Sequence, residues 1–217
     1  AWAAVRPRRE TAAWAVARNL PADPADAGLE AEAWTLRRPD GVELEAWTIR
    51  SPGPFEPGRP RVPLIVLAHG WYRGRRSMLR RLPHVLPLAE RVVLYDARGH
   101  GESGGRSTLG VAEPDDLLAV AEAASTGPDA GPVILAGWSL GGTAAIVAAS
   151  RPEARRRIGG VVAVAPVADL TDAVAARMRQ FDASPRLLLP PVRWVLRRLG
   201  AWPAAPLTDA AAVAVPV

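Results

Sequence analysis

Residues 133–150 read VILAGWSLGGTAAIVAAS, and this stretch decides the fold. A short apolar run comes first, Gly-Trp-Ser-Leu-Gly follows at 137–141, and an alanine-rich segment closes the stretch. The G-x-S-x-G pattern is typical of a serine on a tight turn between a strand and a helix, where glycines let the two elements approach closely. The stretch therefore predicts a strand, a strained turn that exposes the hydroxyl of Ser139, and a helix packed on the sheet. A serine exposed in this way is a candidate nucleophile.

The same pattern occurs a second time, at residues 101–105, around Ser103. Ser103 lies in a glycine-rich loop beyond an apolar run, and no helical segment begins after it. Only Ser139 meets the condition of strand, turn and helix. We therefore interpret Ser139 as the nucleophile and Ser103 as an ordinary loop serine.

Apolar runs and helical segments alternate outward from this point. The apolar runs lie at 62–68, 92–95, 133–137 and 158–165, and the helical segments between them lie at 77–90, 114–124 and 140–150. Strands buried on both faces and separated by helices indicate a parallel sheet built from βαβ units. Two alternating segments, 31–38 and 42–50, flank Pro-Asp-Gly and predict an antiparallel hairpin at the N-terminal edge. The fold class is therefore α/β, a mostly parallel sheet flanked by helices. A proline-rich loop is expected at 51–60.

Composition limits the possible functions. The chain has 217 residues, enough for one domain, and its 27 basic residues include no lysine. The arginines are scattered in short clusters, which argues against a nucleic-acid-binding face. There is no cysteine, which excludes disulfides, thiol catalysis and cysteine metal ligands. No apolar run has the roughly 18 residues of a membrane span, and no signal-peptide pattern opens the chain. We expect a cytoplasmic protein with no metal or cofactor.

Two backbone N–H groups are candidates for stabilising an oxyanion at Ser139. One belongs to Leu140, at the positive end of the following helix. The other belongs to Trp71, in a loop that follows an upstream strand, with Tyr72 as the alternative. His69, in the same loop, has two interpretations: a catalytic group, or the more common histidine that holds a loop by hydrogen bonding.

Three motifs in this order resemble the α/β-hydrolase superfamily: HGW at 69–71, YDARGHGES at 95–103 and GWSLGG at 137–142. The resemblance covers residues 31–217 and is closest to bacterial serine hydrolases of the esterase, lipase and serine aminopeptidase-like kind. It implies an α/β-hydrolase fold and a catalytic acid and histidine that follow the serine in the chain. It also implies that Asp96, Arg98, Gly99 and His100 shape a loop beside the site and are not part of the triad.

All three histidines, His69, His84 and His100, precede Ser139. We expect the catalytic histidine to lie in a C-terminal part beyond these residues, so that the chain is a C-terminally truncated fragment with at most trace activity of its own. Asp169 is a weak candidate for the acid, with helix capping as its more common role, and Asp172 and Asp182 are weaker. The final apolar run, 212–217, resembles the start of the strand that precedes the acid in this family.

The domain interpretation has three parts. Residues 1–28 are interpreted as a helical arm and linker, residues 29–217 as an incomplete α/β-hydrolase domain, and residues 171–208 as a cap over the site. Three cap arginines share one face, which suits an acidic substrate, a membrane surface or plain solvation: Arg193, Arg197 and Arg198.

The functional hypothesis is a serine hydrolase that cleaves an ester, amide or thioester of a small-molecule, acyl or peptidyl substrate through an acyl-enzyme. The alternative is a catalytically silent protein of the same fold that binds a small molecule or a partner. A histidine downstream of the 217 residues would favour the enzyme.

Overall fold

The computed structural model describes residues 2–52, 62–126 and 131–203. Within these ranges, six strands form one sheet: β1 Ala31–Arg37, β2 Glu43–Arg50, β3 Val62–Ala68, β4 Ala89–Tyr95, β5 Val133–Trp138 and β6 Ile158–Val164. The same described residues form eight α-helices: α1 Trp2–Val5, α2 Ala12–Val16, α3 Arg75–Met78, α4 Leu82–Val85, α5 Glu113–Ala124, α6 Leu140–Ser150, α7 Leu170–Gln180 and α8 Pro185–Arg198.

The sheet has the order β1-β2-β4-β3-β5-β6. Strand β2 pairs antiparallel with both β1 and β4, and the remaining neighbours pair in parallel. The predicted α/β class and the N-terminal antiparallel hairpin are confirmed. The hairpin turns at Gly41, whose φ of 81° suits a residue without a Cβ atom.

Both faces of the central strands are buried, which explains their continuous apolar runs. Along β3, Leu64 and Val66 face one side, where they pack with α5 and α6. Ile65 and Leu67 face the other side, where they pack with α3, α4 and the turns around them. Side chains alternate across a strand, so consecutive apolar residues supply both cores at once.

The segment 77–90 differs from the single helical segment that its spacing predicted. It forms α3, a 3₁₀ turn, α4 and a second 3₁₀ turn, and β4 already begins at Ala89. Pro83 and Pro87 lie within this run and have no backbone N–H to donate, which disfavours a continuous α-helix. The predicted loop at 51–60, from residue 53 onward, and the apolar run at 212–217 lie outside the described residues. Among the helices that are described, none is long and apolar enough to cross a bilayer.

Candidate active site

Ser139 is the single residue between β5 and α6, and its backbone conformation is unusual. Its φ is 52° and its ψ is −120°, a region that residues with a Cβ atom rarely occupy. The backbone N–H of Ser139 donates to the carbonyl of Val164 at 2.9 Å, which ties this turn to the end of β6. The turn, called the elbow below (residues 137–141), leaves the serine partly exposed and on the wall of a cavity.

The glycines of the elbow are required by close backbone contacts. A Cβ atom on Gly137 would lie 2.3 Å from the carbonyl carbon of Gly141, and one on Gly141 would lie 2.3 Å from the carbonyl oxygen of Ala68. Real Cβ atoms do not approach so closely, so any side chain here would push α6 away from the sheet. The helix adds small residues on the same side, since Ala144, Ala145 and Ala148 are buried.

Ser103 has a different environment. It is fully buried. Its hydroxyl donates to the carbonyl of Asp96 at 2.6 Å and accepts from the backbone N–H of Glu45 at 2.9 Å. The first bond closes the loop on its own start after β4 and the second holds it against β2, so this hydroxyl is not available to a substrate in the folded protein.

His69 holds the loop that follows β3. Its Nε2 accepts from the backbone N–H of Ala97 at 2.9 Å, so the proton lies on Nδ1, which donates to the carbonyl of Gly70 at 2.8 Å. Burial lowers the pKa of His69 to about 4, so the ring is neutral at pH 7. With both nitrogens engaged, His69 acts as a structural brace.

The loop that His69 holds lies directly against the elbow. A Cβ atom on Gly70 would lie 3.4 Å from the Cβ of Ser139, so no side chain separates the two backbones. Trp71 and Leu140, the two candidate oxyanion donors, line the same cavity as Ser139. Leu140 is the first residue of α6, where backbone N–H groups have no partner within the helix. Tyr72, the alternative donor, also lines the cavity and has a φ of 62°.

The cavity beside Ser139 has a volume of about 790 Å³. Most of its walls are apolar, and they come from three parts of the chain. The strand-end loops contribute Trp71 and Leu109. Helices α7 and α8, which fall largely within the predicted cap of residues 171–208 and are called the cap segment below, contribute Met178 and Leu196. The remaining wall is the N-terminal arm, residues 2–28, which lines the cavity with Ala4, Arg8 and Trp14.

The arm is attached to the loop that follows β3 by several hydrogen bonds. The indole Nε1 of Trp71 donates to the carbonyl of Ala4 at 3.1 Å. The carboxylate of Glu10, which is only 2% exposed, accepts from the backbone N–H of Gly74 at 2.9 Å and from Arg73 at 3.1 Å. Val5 is fully buried beside Leu140. The sequence predicted an arm and linker at residues 1–28 but not their contact with the loop after β3. The signal for that contact was limited to the apolar spacing within the short helices α1 and α2.

Comparison with known proteins identifies the family. A model described as the alpha/beta hydrolase family matches residues 65–217. The chain belongs to the alpha/beta hydrolase family. No curated protein sequence matched it.

Two solved structures show the same fold as this alpha/beta hydrolase. An esterase of Pyrococcus furiosus superposes with a TM-score of 0.72 at 21% identity, covering 98% of this chain and 74% of its own. A serine hydrolase without a lid from Xanthomonas campestris superposes with a TM-score of 0.51 at 25% identity, covering 64% of this chain and 62% of its own. The family match supports a hydrolase, and the two solved structures share its fold.

The other two histidines of this alpha/beta hydrolase are also outside the lining of the cavity beside Ser139. His84 is exposed on α4, within the segment before β4. His100 is 1% exposed, its Nδ1 donates to the carbonyl of Arg98 at 3.0 Å, and its Nε2 is buried without a partner among the described residues. Burial, and then the adjacent ring of His69, lower the pKa of His100 to about 4. None of the three histidines is among the described residues that line the cavity.

The loop at 96–100 has the structural role that the family resemblance implied. Asp96 is fully buried and accepts from the backbone N–H groups of Arg75 at 2.6 Å and Glu102 at 3.0 Å. Burial raises the pKa of Asp96, and the charge of Arg75 opposes that rise. Arg98 pairs with Asp116 through two bonds of 2.6 and 2.8 Å. These contacts fix the loop beside the elbow.

The candidate acid Asp169 caps a helix. Its carboxylate accepts from the backbone N–H of Thr171 at 2.6 Å, at the N-terminus of α7. This bond is a complete structural role, and a catalytic role for Asp169 stays a prediction. Within the described ranges, no group of three or more acidic, histidine or cysteine side chains is placed to hold a metal ion.

Proposed function

We propose that this protein is a serine hydrolase that cleaves an ester, amide or thioester through an acyl-enzyme on Ser139. The observation that carries the proposal is the strained backbone of Ser139, at the N-terminus of a helix and on the wall of a large cavity. Backbone strain of this kind costs about 1–3 kcal/mol and persists where the structure needs it, as at functional sites. The end of β6 and the loop after β3 both contact the turn at Ser139 and keep this residue on the cavity wall.

In the proposed reaction, the Oγ of Ser139 attacks the carbonyl carbon of the bound acyl group while its proton passes to a base. The negative charge that develops on the carbonyl oxygen is stabilised by the backbone N–H groups of Leu140 and Trp71, with the positive end of α6 behind Leu140. The bond to the leaving alcohol, amine or thiol then breaks, and the base returns the proton to it. Water attacks the acyl-enzyme by the same route and releases the carboxylic acid.

The base in this proposal is a histidine outside the 217 residues. His69 uses both ring nitrogens in the loop, His100 is buried, and His84 is exposed on α4 and does not line the cavity. The acid that orients this base would also come from outside, with Asp169 as a weaker candidate. The position of these three histidines outside the cavity lining also favours one alternative, a catalytically silent protein that binds a ligand in the cavity. The test below separates the two.

The test is covalent labelling of the protein translated from the complete reading frame by a fluorophosphonate probe. We expect labelling of the wild type, loss of labelling in Ser139→Ala, and retained labelling in Ser103→Ala, the matched control from the second motif. Short-chain p-nitrophenyl esters are the first substrates to try, since one structural neighbour is an esterase. Labelling that survives Ser139→Ala would contradict the nucleophile, and a folded wild type that neither reacts nor turns over any ester would favour the silent alternative.

Residues 1–217 on their own provide a second measurement. Without a base, the hydroxyl keeps its high pKa, while the backbone oxyanion donors remain, so only a weak residual acceleration over water is expected, on the order of 10³–10⁴-fold. Robust turnover that disappears in Ser139→Ala and in His100→Asn would show that an upstream histidine serves as the base.

A further inference from the structure

The cap segment carries a concentration of exposed apolar side chains. Between residues 181 and 194, Phe181 is 67% exposed, Leu187 76%, Leu188 45% and Trp194 60%. Single exposed apolar residues are ordinary on protein surfaces, but a contiguous group of large ones marks an interaction site. This part of the cap is therefore a candidate docking surface.

The spacing on α8 shows that the exposed residues form a stripe. Positions 187, 190, 191 and 194 are Leu, Pro, Pro and Trp, and the intervals of three and four residues place them on one side of a helix. The other side of α8 is also apolar: Leu196 is fully buried, and Val192 packs with it beside the cavity. The inner side therefore holds the helix to the domain, while the outer stripe has large side chains in solvent.

Positive charge flanks the outer stripe. Helix α8 contains four arginines and no acidic residue. All four are exposed: Arg186, Arg193, Arg197 and Arg198. The guanidinium of Arg198 lies 5.2 Å from the centre of the Trp194 ring. A second copy of the chain would bring four arginines against another four in a two-fold contact, which like charges disfavour. The complementary partner is a surface that is both apolar and negatively charged.

We propose that the outer stripe of α8 docks the protein on an anionic lipid bilayer. Helices with leucine and tryptophan on one side and arginine beside them lie in the membrane interface, where apolar burial and attraction to anionic headgroups add together. Phe181 is exposed and also lines the cavity, so the docked surface adjoins the entrance to Ser139. Given the serine hydrolase proposed above, the substrate class is a lipophilic ester or thioester that partitions into the bilayer.

The experiment is co-sedimentation of the protein with vesicles of pure phosphatidylcholine or of phosphatidylcholine with 30% phosphatidylglycerol. We expect binding to the anionic vesicles that weakens with added salt. Leu187→Ser, in the stripe, with Leu188→Ser, exposed at its border, should lower the partition coefficient about tenfold or more, because two large apolar groups leave the interface. Arg193→Gln with Arg197→Gln should lower it about 25-fold, from roughly fivefold for each charge.

The controls are exposed residues away from the cap. Leu88→Ser removes an apolar side chain that is 43% exposed just before β4, and Arg80→Gln with Arg156→Gln removes two exposed charges. Neither should change the partition coefficient by more than about twofold. Absence of binding to anionic vesicles, or binding that the α8 variants leave unchanged, would overturn the proposal. So would a wild-type dimer in sedimentation equilibrium that Leu187→Ser with Leu188→Ser dissociates without changing vesicle binding.

Failure of this proposal and failure of the hydrolase proposal are distinguishable. Vesicle binding needs no turnover, so Ser139→Ala should bind vesicles like the wild type. Conversely, fluorophosphonate labelling in the absence of lipid tests Ser139 alone. A protein that reacts with the probe but does not bind vesicles would support the hydrolase proposal and contradict the docking proposal.

Discussion

The backbone strain at Ser139 predicts an unusual order of stability among its variants. A φ of 52° with a ψ of −120° is costly for any residue with a Cβ atom, by about 1–3 kcal/mol, and glycine avoids this cost. Glycine also gains conformational freedom in the unfolded chain, which costs about 0.4–1 kcal/mol relative to alanine. The strain outweighs the entropy, so Ser139→Gly should be more stable than Ser139→Ala by about 1 kcal/mol. In a domain of this size the difference corresponds to a Tm about 2–4 °C higher.

The measurement is equilibrium unfolding of both variants in urea, followed by circular dichroism, with thermal unfolding as a second readout. Ser103 supplies the matched control, since it sits in the other G-x-S-x-G sequence and has no positive φ. Ser103→Gly and Ser103→Ala lose the same two hydrogen bonds, and there the alanine variant should be the more stable. A Ser139→Gly variant no more stable than Ser139→Ala would refute the strain argument and remove the main support for Ser139 as the nucleophile.

Three further predictions concern the surroundings of the elbow. Gly141→Ala should lower the free energy of unfolding by about 3 kcal/mol or more, since the new Cβ would lie 2.3 Å from a backbone oxygen. Gly142→Ala, whose new Cβ would have its nearest contact at 3.0 Å, should lower it clearly less in the same urea titration. The buried rings of His69 and His100 have pKa values lowered to about 4, so they are neutral in the folded protein and take up protons on unfolding. The free energy of unfolding should therefore fall by about 1.4 kcal/mol per pH unit per histidine as the pH drops from 6.5 toward 4. The raised pKa of Asp96 opposes this fall. His100→Asn should show a shallower slope than the wild type, and an equal slope would contradict the assignment. Glu10→Ala leaves the backbone N–H of Gly74 without its acceptor, so it should lower the free energy of unfolding by about 1–3 kcal/mol and slow fluorophosphonate labelling. Glu10→Gln should retain most of the stability and most of the labelling rate. Unchanged labelling in Glu10→Ala would contradict a link between the arm and the site.

The elbow could be predicted from sequence because its determinants are local. The apolar run, the two glycines and the alanine-rich helix fall within 133–150, and the conformation depends on contacts among them and the strand next to them. The same local reasoning separated Ser139 from Ser103, whose hydroxyl is buried between two backbone groups. The central sheet was predictable for a related reason, since strands buried on both faces need continuous apolar runs.

The N-terminal arm could not be predicted in this way because its partners are remote. The carbonyl of Val5 accepts from the backbone N–H of Ser107, and Glu10 reaches Gly74. Helices of four and five residues have no stable amphipathic pattern of their own, so their position depends on the surface they meet. The role of His69 was left open for a similar reason, because it depends on an acceptor and a donor that only the folded chain brings to the ring.

The burial of Val5 has a consequence for synthesis of the protein. Val5 packs in one cluster with Leu109 and Leu196, so its site is complete only when the ribosome has added roughly 190 further residues, which takes about 10–40 s. The strands and the elbow emerge before α8, and they can pair while the arm is still unpacked. The nascent chain therefore exposes the apolar residues of the arm to chaperones until α8 emerges, and the cavity beside Ser139 is the last part of the described fold to close.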